Sequence, residues 1–438
     1  MFDRDLERFA DKIAFIEEER TLSYKNFALE IEKFNATFPK TKQLVAMEMG
    51  QDIDSIVTYV SLFHAGHTLL MVDPSLGSEK KEYIYENYKP NYIYTKGKCI
   101  KRGDKEHKLH SELTLLLPTS GSTGSVKYVR LSKKNIYANA DAITQYLPLN
   151  KDDITITTLP LYYSYGLSVL HTYLKVGATL ICSDEPITSK KFWQIFRTME
   201  CTNFNGVPFH YEILSKLKIT REQFQSLRFL TQAGGKLNKN YVEEFAHWVQ
   251  EIKALFFVMY GQTEATARIS YLPPSKLLRK PTSIGNAIPD GKLFIQEGEL
   301  VYEGKNVMLG YASSLEDLAK GDENRGRLYT GDLGSVDDEG DFYIIGRKKR
   351  FIKIYANRIN LDEIEQTCKS DKKDVVVVGM DDQMTFLYKD ENIEDLKAYV
   401  FEKYRAYKRA IKFQHIDEFI VTSSGKIDYQ KMLELSCE

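Results

Sequence analysis

The stretch that decides the reading is Leu117-Pro118-Thr119-Ser120-Gly121-Ser122-Thr123-Gly124-Ser125-Val126-Lys127. From 119 to 125 every residue is serine, threonine or glycine, and a lysine follows two residues later. Such a run has almost no apolar surface and cannot be part of a core. It offers N–H groups, hydroxyls and one cation to an anion, and glycine lets the backbone come close. A flexible Ser/Gly linker has the same composition, so the flanks must decide. Leu113 to Leu117 and Val126 to Leu131 both read as strands. Ser132 is a good N-cap for a helix with Ile136, Ala140, Ile143 and Leu147 on one face. The loop therefore joins strand to strand. A Walker loop needs strand–loop–helix and GxxxxGK[ST], and neither is here. Phosphate held by this stretch would be held by a hairpin loop.

Working outward, residues 1–117 alternate strand and helix. Thr21–Tyr24 leads into a helix with Phe27, Leu29, Ile31 and Phe34. Strands at 44–49 and 68–72 flank a helix with Ile53, Ile56, Val57, Val60 and Phe63 that ends at Ala65-Gly66. The alternation resumes between 151 and 260, with strands near 154–158, 179–182, 201–205, 227–230 and 255–259. Helices are expected at 189–199, 208–217 and 238–250. This is an α/β pattern, a parallel or mixed sheet covered by helices. Two strands run into unusual turns, Gln232-Ala233-Gly234-Gly235 and Tyr260-Gly261-Gln262-Thr263-Glu264. Ligands of open α/β sheets gather beyond such strand ends.

From 284 to 346 the texture changes to short strands and Gly/Asp turns, which predicts a compact β subdomain. Gly346-Arg347-Lys348-Lys349-Arg350 follows, ordinarily a solvated charge run. The remainder reads as a small α+β domain, with helices at 361–368 and 393–404, strands at 374–379, 385–388 and 412–415, and a closing loop Thr422-Ser423-Ser424-Gly425-Lys426.

Composition bounds the function. The 438 residues are 43% hydrophobic and 28% charged, with a formal net charge of −1. Nothing global points to a nucleic-acid or membrane partner. The five cysteines are scattered without CxxC spacing, which suits reduced thiols in the cytoplasm. His107 and His110 lack cysteine or histidine neighbours and read as solvated. The charged N-terminus has no apolar signal segment, and no long apolar run predicts a membrane span.

Taken in order, the motifs resemble those of the adenylate-forming (ANL) superfamily, which includes acyl-CoA synthetases, adenylation domains of peptide synthetases and luciferases. Residues 119–127 look like its phosphate loop, and Leu159-Pro160-Leu161-Tyr162-Tyr163-Ser164-Tyr165-Gly166 like its aromatic acid-pocket motif. Asn205-Gly206-Val207-Pro208, Gly234-Gly235 and Tyr260-Gly261-Gln262-Thr263-Glu264 follow. So do Gly298-Glu299-Leu300, Tyr329-Thr330-Gly331-Asp332-Leu333, Gly346-Arg347 and Ser424-Gly425-Lys426. The resemblance covers nearly the whole chain. It implies a large AMP-binding domain over 1–347 and a small mobile lid domain over 348–438, hinged at Lys349.

It also implies an activity. A carboxylate attacks the α-phosphorus of ATP, giving an acyl adenylate and pyrophosphate. Both reactants are anionic, so catalysis rests on positioning and charge neutralisation. By this resemblance Thr119, Ser120, Gly121, Ser122, Thr123, Gly124 and Lys127 hold the β- and γ-phosphates. Thr263 bonds the α-phosphate and Glu264 supports Mg²⁺. Gly234, Gly235, Tyr260, Gly261 and Gln262 form the adenine site, and Asp332 with Arg347 takes the ribose. Tyr163, Tyr165, Gly166, Asn205 and Gly206 line the acid pocket. Lys426 is the catalytic lysine. The acceptor implied is a thiol, of coenzyme A or of the phosphopantetheine on an acyl or peptidyl carrier protein.

Several positions depart from the pattern. Val126 stands in place of a proline, Tyr128 in place of a glycine, and Tyr163 where many acyl-CoA synthetases have histidine. The segment lacks the aspartate that pairs with an α-ammonium, which favours an acid without an α-amino group. Ala356 replaces a glycine near the expected pantetheine route. Transfer to an amine, or nucleotide binding without catalysis, are the alternatives to a thiol ligase.

Overall fold

Thr68–Val72 is buried along its whole length, as a strand covered on both faces must be. It pairs in parallel with Leu44–Glu48 on one side and Leu113–Pro118 on the other. These strands are central in a seven-stranded sheet ordered Gly310–Ala312, Tyr128–Ser132, Leu113–Pro118, Thr68–Val72, Leu44–Glu48, Tyr92–Thr95, Lys98–Lys101. The computed structural model describes residues 5–118, 127–217, 224–348, 350–354, 357–389, 391–422 and 425–437.

Local chemistry sets the helix ends where the sequence places them. Asp52 caps Ile53–Ala65 by accepting from the Ser55 N–H, and Gly66 closes it at φ 89°. Ser132 and Asn135 form a reciprocal capping pair at the start of Lys133–Tyr146. Leu113–Pro118 and Tyr128–Ser132 are antiparallel, with Pro118 opposite Tyr128. The two strands that flank residues 119–126 are therefore direct antiparallel neighbours, strand next to strand as expected.

A second sheet runs Asn203–Gly206, Phe229–Gln232, Leu255–Tyr260, Ser270–Leu272, Asn286–Ala287. Its first three strands are parallel, so their carboxyl ends emerge side by side. Helices Pro208–Lys216 and Lys239–Glu251 connect them. Phe192, Trp193, Phe196, Phe204, Tyr211 and Phe256 fill the core here. A four-stranded sheet of Arg20–Ser23, Ile13–Glu17, Thr179–Ile181 and Ile154–Ile156 adds a strand absent from the sequence reading. Ile13–Glu17 is held by distant residues, with Phe15 opposite Leu180. In helix Tyr24–Thr37, Phe27 and Ile31 are buried while Leu29 is 53% exposed.

The chain divides into two compact units, one of 1–292 with 302–328, the other of 293–301 with 329–438. The stretch 284–346 is not a single β unit. Asn286–Ala287 and Gly310–Ala312 complete the two larger sheets, and the rest forms a sheet of Lys292–Gln296, Glu299–Glu303, Arg327–Val336 and Phe342–Arg347. The boundary drawn at 347/348 falls inside the second unit. Side-chain bonds across it explain why: Asn360 Nδ2 donates to the Ile345 carbonyl (2.8 Å), and the Arg347 N–H donates to Asp362 (3.1 Å). The rest of that unit contains Val375–Met380, Gln383–Tyr388 and Ile411–His415 as a three-stranded sheet with helices Leu361–Ser370 and Ile393–Lys403. Its core centres on Val375, Val377, Phe386, Leu396 and Val400. Helix Tyr429–Leu435 was not anticipated.

Candidate active site

The Tyr260–Arg268 segment is built around a tight reversal. Leu255–Tyr260 and Ser270–Leu272 are antiparallel neighbours, so the chain must turn back within a few residues. Gly261 passes so close to the returning chain that a Cβ there would sit 2.0 Å from the Ala267 carbonyl oxygen. Thr263–Ala265 forms one 3-10 turn. Thr266 then adopts φ 65° and ψ −58°, and the Ala267 N–H donates to the Ala265 carbonyl at 2.7 Å. That is a γ-turn in the strained positive-φ form. Asn306 holds it, donating to the carbonyls of Ala265 (2.9 Å) and Arg268 (2.8 Å). Thr266 Oγ1 returns a bond to the Asn306 carbonyl at 2.7 Å. The turn presents Thr263 and Glu264 at the strand's carboxyl end.

Glu264 is joined to the hairpin loop through Tyr311. The Tyr311 hydroxyl donates to Glu264 Oε1 at 3.0 Å, and the Lys127 ammonium lies 3.3 Å from the Tyr311 ring centroid. Burial, and then the Glu264 charge, push the Tyr311 phenol above its ordinary value, so it stays a donor. Lys127 is the one candidate of the phosphate loop within the described residues; Thr119, Ser120, Gly121, Ser122, Thr123 and Gly124 lie outside them. Tyr311 was missed because its signal is a strand pairing: Gly310–Ala312 runs along Tyr128–Ser132, with Tyr311 opposite Val129.

The acid-pocket candidates cluster at the start of helix Ser164–Val176. Ser164 Oγ lies 3.3 Å from Thr263 Oγ1, which brings the two motifs together. Tyr165 is fully buried, its hydroxyl on the Thr231 carbonyl (3.1 Å) and hydroxyl (2.8 Å). Burial pushes its phenol up to about 12. Thr231 in turn donates to Asn205 Oδ1 at 2.7 Å. Tyr163 packs half-buried against the adjoining cluster that includes Leu149, Leu159 and Tyr173. The two glycines serve close packing: a Cβ on Gly166 would meet the Pro160 carbonyl oxygen at 2.3 Å, and one on Gly206 the Tyr211 ring at 2.8 Å. A small cavity is lined by Asn205, Thr231, Met259, Ser168, Val169 and Arg268. Arg268, like Tyr311, was not singled out from sequence.

At the next strand end, Gly234 takes φ 84° and Gln232 Nε2 donates to the Gly235 carbonyl at 2.9 Å. The Ala233 N–H donates to Gly206 at 3.2 Å, tying this turn to the acid-pocket segment. Tyr260 and Gln262 are both half-buried.

In the second unit, Asp332 faces Arg347 across antiparallel strands, with Arg347 Nε 3.3 Å from Asp332 Oδ1. Asp332 is buried and Arg347 largely exposed. The Glu299 carboxylate accepts from the Gly331 N–H (2.9 Å) and from Lys348 (2.9 Å), which fixes the Thr330-Gly331-Asp332 stretch of its strand. That explains the Gly298-Glu299-Leu300 motif as support for the Asp332 strand. Lys426 sits on a small hairpin: its N–H donates to Thr422 Oγ1 (3.2 Å), and the Thr422 N–H to its carbonyl (2.7 Å). Lys349 and Ala356 lie outside the described residues.

The fold and these motifs are similar to those of AMP-binding enzymes: a family model of that description matches residues 104–312. A 2-succinylbenzoate–CoA ligase of Bacillus pumilus (strain SAFR-032) is 24% identical over 470 residues, covering 96% of this chain and 95% of its own. The structure of o-succinylbenzoate CoA synthetase (MenE) from Bacillus subtilis with the acyl-adenylate intermediate OSB-AMP matches with a TM-score of 0.81. The identity is 20%, over 98% of this chain and 97% of that one. The same enzyme with ATP and magnesium ion gives 0.80 at 21% identity, over 98% of both chains. At these identities the solved structures speak for the fold. No helix among the described residues is long and apolar enough to cross a membrane.

Proposed function

We propose that the enzyme converts a carboxylic acid and ATP into an acyl adenylate and pyrophosphate, then transfers the acyl group to the thiol of coenzyme A. A carboxylate oxygen attacks the α-phosphorus, and the bond to the bridging oxygen of pyrophosphate breaks. The thiolate then attacks the acyl carbon and AMP leaves. The observation that carries the first step is the line Lys127–Tyr311–Glu264, with Thr263 beside Ser164 at the mouth of the acid pocket. It gathers a cation, a carboxylate and hydroxyls where a triphosphate and an acid would meet.

Lys127, with the loop 119–124, would hold the β- and γ-phosphates. Thr263 would donate to the α-phosphate. Glu264 is a hard oxygen ligand, oriented by Tyr311, and it fits Mg²⁺. Magnesium, when bound, neutralises charge on the phosphate oxygens. Gly234, Gly235, Tyr260, Gly261 and Gln262 would frame the adenine, and Asp332 with Arg347 would accept and steady the ribose hydroxyls. Lys426 would stabilise the negative charge that grows at phosphorus. A hinge at Lys349 would let the 348–438 segment bring Lys426 in for adenylation and withdraw it for thiol attack.

The names of relatives, the Bacillus pumilus CoA ligase among them, support coenzyme A as acceptor. The test is single-turnover transfer from the preformed adenylate to coenzyme A, with a phosphopantetheinylated carrier protein and an amine in parallel. Acyl-CoA should form fastest. Transfer to the amine alone would reject the thiol reading.

A further inference from the structure

We infer that Tyr429, with Arg350 behind it, is a positioning residue for Lys426. Through Glu365 the two lock the hairpin that carries the lysine to the residue that follows the pivot at Lys349. The inference rests on the adenylation reading and deepens it by naming what aims Lys426. Glu365 lies in helix Leu361–Ser370 and is 4% exposed. Its Oε1 accepts from the Tyr429 hydroxyl (2.8 Å) and from Lys369 Nζ (2.8 Å). Its Oε2 accepts from the Val377 N–H (3.1 Å) and from Arg350 Nη2 (3.3 Å). A buried carboxylate is costly unless it is paired and hydrogen-bonded, and here both oxygens are. Arg350 closes the arrangement from the other side. Its Nη2 also donates to the Val377 carbonyl at 2.8 Å, and Nε lies 2.9 Å from Asp362 Oδ1. The guanidinium lies over the Tyr429 ring, 3.7 Å from its centre. Tyr429 is thus held twice, at its hydroxyl by a charged acceptor and at its ring face by a cation.

Tyr429 follows Lys426 by three residues, and the backbone between them is fixed. The Asp428 N–H donates to the Ile420 carbonyl (2.9 Å), Val421 and Ile427 bridge antiparallel, and the Lys426 N–H donates to Thr422 Oγ1 (3.2 Å). Asp428 also caps helix Tyr429–Leu435, accepting from the Lys431 N–H at 3.2 Å. That helix has seven residues, too few to stand by its own hydrogen bonds. Met432 holds it down, buried with Val376, Val378 and Leu387. Such apolar packing is non-directional. The bond from Tyr429 to Glu365 supplies direction, at the end of the helix that adjoins the hairpin. Buried ion pairs add little stability over apolar packing, and their use lies in fixing one geometry. Here the geometry fixed is that of Lys426 relative to Arg350, so a rotation at the pivot reaches the lysine undiminished.

The test reads two half-reactions in the full chain: ATP–pyrophosphate exchange, with the best of a panel of aliphatic and aromatic carboxylic acids, and transfer from the preformed adenylate to coenzyme A. The variants are Tyr429→Phe, Arg350→Met, Arg350→Lys, Lys426→Ala and the double variant Tyr429→Phe with Lys426→Ala. Tyr429→Phe keeps the ring under Arg350 and removes one hydrogen bond. The expected result is a fall in kcat for exchange on the order of 10-fold, with KM for ATP and for the acid unchanged. Transfer from the preformed adenylate should be unaffected, because Lys426 is withdrawn in that step. Arg350→Met should lower kcat in the same way, and Arg350→Lys should recover part of it. In the Lys426→Ala background, Tyr429→Phe should cost nothing further, since both changes act through one side chain. A loss that multiplies on top of Lys426→Ala, equal slowing of both half-reactions, or normal exchange by Tyr429→Phe would overturn the coupling alone. No exchange with any acid, or near-normal exchange by Lys426→Ala, would reject the adenylation reading and the inference with it, so the two failures are distinct.

Discussion

Tyr311 ties Glu264 to Lys127, through one hydrogen bond to Glu264 and one ring face under Lys127. Removing its hydroxyl deletes a bond to a charged acceptor, a change of about 1.5–3 kcal/mol. Tyr311→Phe should therefore raise KM for Mg·ATP by on the order of 10-fold or more with little change in KM for the acid; ATP titrations of the exchange rate check this. An equal rise for both substrates would mean a general loosening of the site. Thr263, Glu264 and Asp332 could be named as candidates from sequence because each stands inside a contiguous motif. Tyr311 and Arg268 could not. The first reaches the site through a strand pairing with Tyr128–Ser132, and the second through burial, which no local pattern of residues reveals.

At the scale of elements, the reversal after Leu255–Tyr260 depends on Asn306, a residue from a different segment. Asn306→Ala leaves the buried carbonyls of Ala265 and Arg268 without their donor and Tyr302 without its acceptor. Destabilisation of about 2–3 kcal/mol is expected, read from urea unfolding. A change below the error of the method would show that the turn holds itself.

His67 stands at the head of the central strand Thr68–Val72, where its Nδ1 accepts from the Gln43 N–H at 3.1 Å. Burial, then the charges of Lys42, Lys133 and Lys40, lower its pKa to about 4. The ordinary value is higher, so the unfolded chain binds the proton first. Stability is then lost as pH falls from 6.5 toward 4. Between pH 7 and pH 5 the loss should be about 2 kcal/mol, and His67→Asn should remove that part of the slope. Parallel slopes for the two proteins would contradict the assignment. Strands and helices with their own caps or all-buried runs were readable, Ile53–Ala65 and Thr68–Val72 among them. Ile13–Glu17 was not: it pairs with neighbouring Arg20–Ser23 on one side, but its other partner, which makes it an interior strand, lies far along the chain at Thr179–Ile181.

At the scale of the molecule, Thr263 and Glu264 belong to one compact unit, and Asp332 and Lys426 to the other. The α/β class and the order of motifs could be read from sequence, because hydrophobic period and glycine turns are local. The unit boundary could not, since Leu293–Val301 joins the second unit through sheet pairing. If Lys349 is the pivot between the two half-reactions, Lys349→Pro should slow acyl transfer to coenzyme A at least ~10-fold more than it slows adenylation, by fixing φ at that position. Equal loss in both would argue against alternation.

The central claim is that a carboxylate is activated by ATP at this site with Lys426 stabilising the reaction. Acid-dependent ATP–pyrophosphate exchange tests it most directly, across a broad panel of carboxylic acids, with Lys426→Ala alongside. The account predicts exchange with at least one acid, and a fall of at least ~100-fold in the variant while ATP still binds. No exchange with any acid, or near-normal exchange by Lys426→Ala, would contradict it.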